Sequence, residues 1–131
     1  MYRAREKQMS IYDYLPPYHG ELCNANRWVR LADAIDWDGF ENAYSALFAP
    51  GGKVALPARV ALGCRIIQLH YAASDREVVA LVQESPYLQY FLGFESFTDA
   101  VPFSSRTVAR FRARIPDKAV RPAVRLLRSF Q

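Results

Sequence analysis

Apolar residues along this 131-residue chain recur at intervals of three and four, and no stretch shows the strict alternation that a half-buried strand requires. "NANRWVRLADAI" places Trp28, Leu31, Ala32 and Ile35 on one helical face, with Asn26 as N-cap. After "DWDG", "FENAYSALF" reads as a second short helix with Phe40, Tyr44, Leu47 and Phe48 on one face. "APGGK" breaks the pattern again. "LPARVALGCRIIQLHYAA" follows, with Pro57 suited to a first helical turn, where its missing N–H costs nothing. Val60, Cys64, Ile67 and Tyr71, with Leu56, Ile66 and Leu69, make this helix apolar around most of its girth. That is the pattern of a buried central helix, and Gly63 allows a neighbour to come close.

"SDREVVALVQES" carries Ser74 with Glu77 three residues on, the spacing of a capping box, and turns Val78, Leu81 and Val82 inward. Ser85-Pro86 ends it, and "YLQYFLGF" is a short aromatic helix stopped by Gly93. After the loop "ESFTDAVPF", Ser104 or Ser105 caps a helix running to about Ile115, where Pro116 intervenes. A last helix, roughly 117–130, points Val120, Val124 and Leu127 inward, with Pro122 near its start. The pattern predicts an all-α domain of six or seven short helices with a helix-turn-helix-like arrangement over residues 27–131. An aromatic, proline-containing arm precedes it over residues 1–26.

Composition changes the picture by exclusion. Apolar residues make up 51% of the chain, with eight Phe, eight Tyr and two Trp, too many for a disordered segment. No apolar run approaches the roughly 20 residues that span a bilayer, and "MYRAREKQMS" has no apolar stretch behind it to make a secretory signal. The expectation is a cytoplasmic protein. Cys23 and Cys64 form neither a disulfide framework nor a C-x-x-C pair, and His19 and His70 have no second ligand at a metal-type spacing. No cofactor and no small-molecule substrate are expected.

Charge is segregated. Residues 1–100 hold nine Lys/Arg against twelve Asp/Glu; residues 101–131 hold eight Lys/Arg against Asp117 alone. On a helix at about 100° per residue, "SSRTVARFRARI" turns Val108, Phe111 and Ile115 to one side. Arg106, Arg110 and Arg114 form a stripe on another, with Arg112 beside it, and no carboxylate lies within the segment. Like charges at i, i+4 destabilise an isolated helix by a few tenths of a kcal/mol per pair. Arginine's planar fork suits phosphate and the guanine edge. Ser104, Ser105 and Thr107 sit where helix N–H groups favour a phosphate. Arg121, Arg125 and Arg128 extend the basic character onto the last helix. Nucleic acid, a solvated basic face and an acidic protein partner all fit this pattern, and it favours the first.

Four blocks, in order, resemble the InsH-type N-terminal domain of bacterial insertion-sequence transposases of the DDE class. They are "MSIYDYLPP", "LADAIDWDGF", "GGKVALPARVALGCRIIQLHYAASDREVVALVQESPYLQYFLGF" and "VPFSSRTVARFRARI", the last similar to the family's Pro-x-x-Ser-Thr-x-x-x-Phe-Arg helix. Two departures stand out: Phe103 precedes Ser104-Ser105 where the family has His or Asp, and the threonine is displaced to Thr107. The resemblance implies a helical domain that binds the terminal inverted repeats of a mobile element and helps the transposase dimerise. It implies that catalysis belongs to a downstream RNase H-like domain whose two Asp and one Glu hold Mg²⁺. Asp33, Asp36, Asp38, Glu41, Asp75, Glu77 and Glu84 sit on helix turns or caps with no strand scaffold to converge two metals. The expectation is therefore a DNA-binding domain without catalysis of its own. Its partners would be double-stranded DNA and a homodimer, or a heterodimer with the intact transposase. Its contacts would be Ser104, Ser105, Arg106, Thr107, Arg110, Arg112, Arg114, Arg121, Arg125 and Arg128. The alternative is a regulatory interaction module that uses Tyr12, Tyr14, Tyr18 and "PYLQYFLGF" to contact the intact transposase.

Overall fold

The computed structural model describes Tyr18, residues 22–45 and residues 57–130, which hold seven helices and no strand. They are α1 (Arg27–Ala34), α2 (Trp37–Ser45), α3 (Ala58–Tyr71), α4 (Asp75–Glu84), α5 (Pro86–Phe91), α6 (Ser105–Arg114) and α7 (Asp117–Ser129). The domain is all-α, as the periodicity predicts. Leu47, Phe48, Leu56, the "APGGK" break, and Tyr12 and Tyr14 of the expected arm lie outside the described residues, as does the side chain of Tyr44.

α3 is the centre. Its residues from Val60 to Gln68 are all buried, and α2, α4, α6 and α7 pack around it. α1 closes one side by packing on α5 and α7, while α4 bridges α5 and α6. Gly63 makes the close approach its position predicts: a Cβ built there would strike the Leu92 side chain. Phe91 fills the space beneath, its ring 4.9 Å from Trp28 and 5.5 Å from Trp37, both edge-on. Edge-to-face contacts of this kind add to the area the rings bury. Cys64 is a buried free thiol in this core.

The helix ends follow their local chemistry. Asn26 Oδ1 accepts the Trp28 N–H, and Ser74 and Glu77 form the reciprocal capping box. Ser85 both ends α4 and caps α5 at the Leu88 N–H, with Pro86 at the first helical position. Ser104, not Ser105, is the N-cap of α6. Gly93, at φ 91°, turns the chain out of α5. The buried side chain of Gln89 then pins the following loop, donating to the Val82 and Thr98 carbonyls and accepting the Thr98 N–H.

Three expectations need correction. α2 begins at Trp37, within "DWDG" and not after it, because the Asp36 carboxylate accepts the Gly39 N–H at 3.1 Å. A Cβ at residue 39 would strike that carboxylate, so glycine suits the site. Pro57 sits at the N-cap of α3, one residue outside the helix. Tyr71 is exposed at the end of α3, its hydroxyl accepting from Trp28 Nε1 at 3.3 Å rather than joining the core. Of the segment before α1, Tyr18 donates to the Phe94 carbonyl, Leu22 is buried, and the Cys23 N–H reaches the Tyr87 hydroxyl.

Because Phe91 joins α5 to α1 and α2, Phe91→Ala will lower stability by about 3–5 kcal/mol, the range for a buried aromatic truncation. Urea unfolding checks this, and a loss below about 1 kcal/mol would contradict the described packing.

Candidate nucleic-acid interface

α6 divides as its sequence predicts. Val108, Phe111 and the C-cap residue Ile115 are buried against α3 and α4, and Arg106, Arg110, Arg112 and Arg114 are exposed. Ser104 Oγ accepts the Thr107 N–H at 3.4 Å, with Ser105 and Thr107 half-buried in the first turn. On α7, Val120, Ala123, Val124 and Leu127 face inward, while Lys118, Arg121, Arg125 and Arg128 are exposed. Ile115 and Pro116 alone join the two helices, and both helices pack on α3. Among the described residues, Arg106, Arg110, Arg121 and Arg125 have no ion-pair partner.

Arg112 is different. Its Nε donates to Asp75 Oδ1 at 3.1 Å and its Nη2 to Asp75 Oδ2 at 2.9 Å, a two-pronged pair between α6 and the first residue of α4. The neutralising carboxylate missing from the segment itself comes from a residue 37 positions earlier. Behind it runs a polar chain that the periodicity does not reveal. Gln68 Nε2 donates to Asp75 Oδ1 at 2.8 Å, and Gln68 Oε1 accepts from Arg65 Nη1 at 2.7 Å. Arg65, only 3% exposed, donates through Nε to the Ile115 carbonyl at 2.9 Å and through Nη2 to Asp117, the first residue of α7. The sequence carries a signal: Arg65 and Gln68 stand one turn apart in the otherwise apolar stretch from Val60 to Leu69, and buried polar residues need partners. These five side chains line a surface cleft of about 430 Å³ with Leu69, Ala72, Ala73 and Ser74.

The electrostatics follow the geometry. Hydrogen bonds from Arg112, and then from Gln68, hold the Asp75 carboxyl below its ordinary value; Asp75 in turn raises Arg112. His70 is lowered, first by burial and then by Arg27 and Arg128 nearby; its Nδ1 has no hydrogen-bond partner. Its ring packs edge-on against Trp28 and Tyr71. On α1 and α2, Asp33, Asp38 and Glu41 are exposed, and the Tyr90 hydroxyl donates to Asp33. Among the described residues no three His, Cys, Asp or Glu side chains come together in a way that could hold a metal ion. Nor is any helix among them long and apolar enough to cross a membrane.

An all-α domain with basic residues gathered on its last two helices is thus the class in which to look for relatives. The chain belongs to the family described as Transposase domain (DUF772), which matches residues 11–114. It is also 37% identical over 87 residues to "Uncharacterized protein ORF8 in nfe locus" of Rhizobium meliloti, a match covering 66% of this chain and 42% of that protein. The chain thus spans less than half of that relative's length. No solved structure matches it.

Two outcomes follow from the polar chain. Arg65→Met keeps the packed stem but strips the donors from the Ile115 carbonyl and Gln68, and will lower stability by about 2–3 kcal/mol in urea unfolding; an unchanged midpoint would contradict the described bonds. Asp75, held low in the fold, contributes stability at pH values above its unfolded pKa of about 3.9. That contribution is lost as pH falls through the folded value. Asp75→Asn will therefore flatten the acid limb of the stability–pH curve and cost at most about 1 kcal/mol at neutral pH, the scale of an exposed pair. An acid limb unaltered by the substitution would contradict the pairing.

Proposed function

We propose that this domain binds duplex DNA through the arginine faces of α6 and α7, as the end-recognition part of a transposase, with the terminal inverted repeats of a mobile element as its specific target. The observation that carries the reading is the set of exposed arginines on two consecutive helices without carboxylate partners among the described residues: Arg106, Arg110, Arg121 and Arg125. A solvated face would gain by interleaving acids, as α4 does with Asp75, Glu77 and Glu84 around Arg76. Family membership supports DNA as the polyanion.

In this reading α6 enters the major groove from its N-terminal end. Ser104, Ser105 and Thr107 lie at the phosphate backbone, and Arg106, Arg110 and Arg114 reach phosphates and base edges. Arg121, Arg125 and Arg128 of α7 take flanking phosphates. The helix-turn-helix-like arrangement belongs to the same proposal, with Ile115-Pro116 as the turn. A protein-contact role for "PYLQYFLGF" has less to stand on, since Leu88, Phe91 and Leu92 are buried in the core.

Fluorescence anisotropy with duplex DNA tests the proposal. Each phosphate neutralised contributes about 0.9 to the fall of log K with log salt. With four to six such contacts the slope will be about −4 to −5. Arg110→Gln will reduce its magnitude by about 0.9 without changing thermal stability. Affinity that is flat between low and physiological salt would overturn the reading.

A further inference from the structure

Four exposed arginines stand on α6, and they are not equivalent. Arg112 spends its Nε–Nη2 edge on Asp75, the same flat two-donor edge that would grip a phosphate or guanine. The acceptor is fixed from behind. Asp75 is 21% exposed, follows the Ser74 cap at the positive end of α4, and takes a second bond from Gln68. Gln68 is fixed by Arg65, and Arg65 by the carbonyl of Ile115, the C-cap of α6, and the first side chain of α7. The chain of contacts that leaves α6 at Arg112 therefore returns to its C-cap, Ile115, by way of α4 and α3. Apolar contacts at Val108 and Phe111 resist separation of α6 from the core but are not directional. Two polar ties, at residues 112 and 115, fix its rotation and register.

Resting on the DNA-binding reading, we propose that Arg112 is a positioning residue rather than a DNA ligand. Through Asp75, Gln68 and Arg65 it locks α6 in the orientation that aims Arg106, Arg110 and Arg114 at the duplex. Its guanidinium stays on Asp75 in the complex. Arg112→Gln then loosens α6 without removing a phosphate contact, whereas Arg110→Gln removes a contact without loosening α6.

The test pairs two readouts on the full 131-residue chain and its Arg112→Gln, Asp75→Asn and Arg110→Gln variants: amide hydrogen exchange without DNA, and the salt dependence of duplex binding. Arg112→Gln and Asp75→Asn will each speed exchange of the amides of residues 105–114 several-fold and leave those of α1 unchanged. A variant that combines Arg112→Gln with Asp75→Asn will be no faster than Asp75→Asn alone, since both break the same tie. Arg112→Gln will weaken binding several-fold with an unchanged salt slope, while Arg110→Gln will lower the slope by about 0.9 and leave exchange unchanged. The proposal is overturned if Arg112→Gln lowers the slope as Arg110→Gln does. It is equally overturned if Asp75→Asn steepens the slope by about 0.9, the mark of an arginine released onto a phosphate. Unchanged exchange across α6 in both single variants overturns it by itself. Failure of the unmodified chain to bind duplex DNA would sink the DNA-binding reading, and the exchange data would still decide whether Arg112 holds α6 in place.

Discussion

A guanidinium near the middle of an apolar helix must find acceptors, and where the Arg65 side chain finds them organises this domain. It reaches the Ile115 carbonyl, Gln68 and Asp117 from the buried face of α3. Leaving those donors unmet in the core would cost several kcal/mol, so the α6–α7 corner is held against α3 at that point. A leucine there could hold the corner nearly as firmly, but it would not choose among rotations. The polar chain from Arg65 through Gln68 and Asp75 to Arg112 supplies that choice, and it does so on the helix that carries the exposed arginines.

The second constraint is where charge is allowed to collect. Eight of the seventeen basic residues lie beyond residue 100, against a single acid. That acid, Asp117, points to Arg65, so it serves the interior although it is 54% exposed. Asp75, the carboxylate that meets Arg112 of α6, is likewise committed to structure. Among the described residues, Arg106 and Arg110 of α6 and Arg121 and Arg125 of α7 face outward without a carboxylate, a self-repelling arrangement that an anionic partner would relieve. Packing both helices on α3 keeps that repulsion from separating them.

How much of this was legible in the sequence depended on distance along the chain. The N-cap at Asn26, the capping box at Ser74–Glu77, the stop at Gly93 and the inward stripes of α6 and α7 are local patterns, and each appears in the structure where the sequence places it. The start of α2 is less legible, because the Asp38-Gly39 dipeptide suits a turn as well as a first helical turn; the bond from the Gly39 N–H to the Asp36 carboxylate decides between them. The Asp75–Arg112 and Arg65–Asp117 pairs join residues 37 and 52 positions apart, and no periodicity links them. Arg112 shows the consequence for the candidate site. By sequence it was one of four similar arginines; the fold gives it a carboxylate of its own.

The central claim, that the basic faces of α6 and α7 are where duplex DNA sits, is tested most directly by following backbone amide resonances of the isotopically labelled chain as duplex is added. The account predicts progressive shifts concentrated at residues 104–114 and 118–128, with the acidic α1–α2 residues 33–41 unmoved. Shifts centred on α1 and α2, or none at α6 when binding saturates, would contradict it.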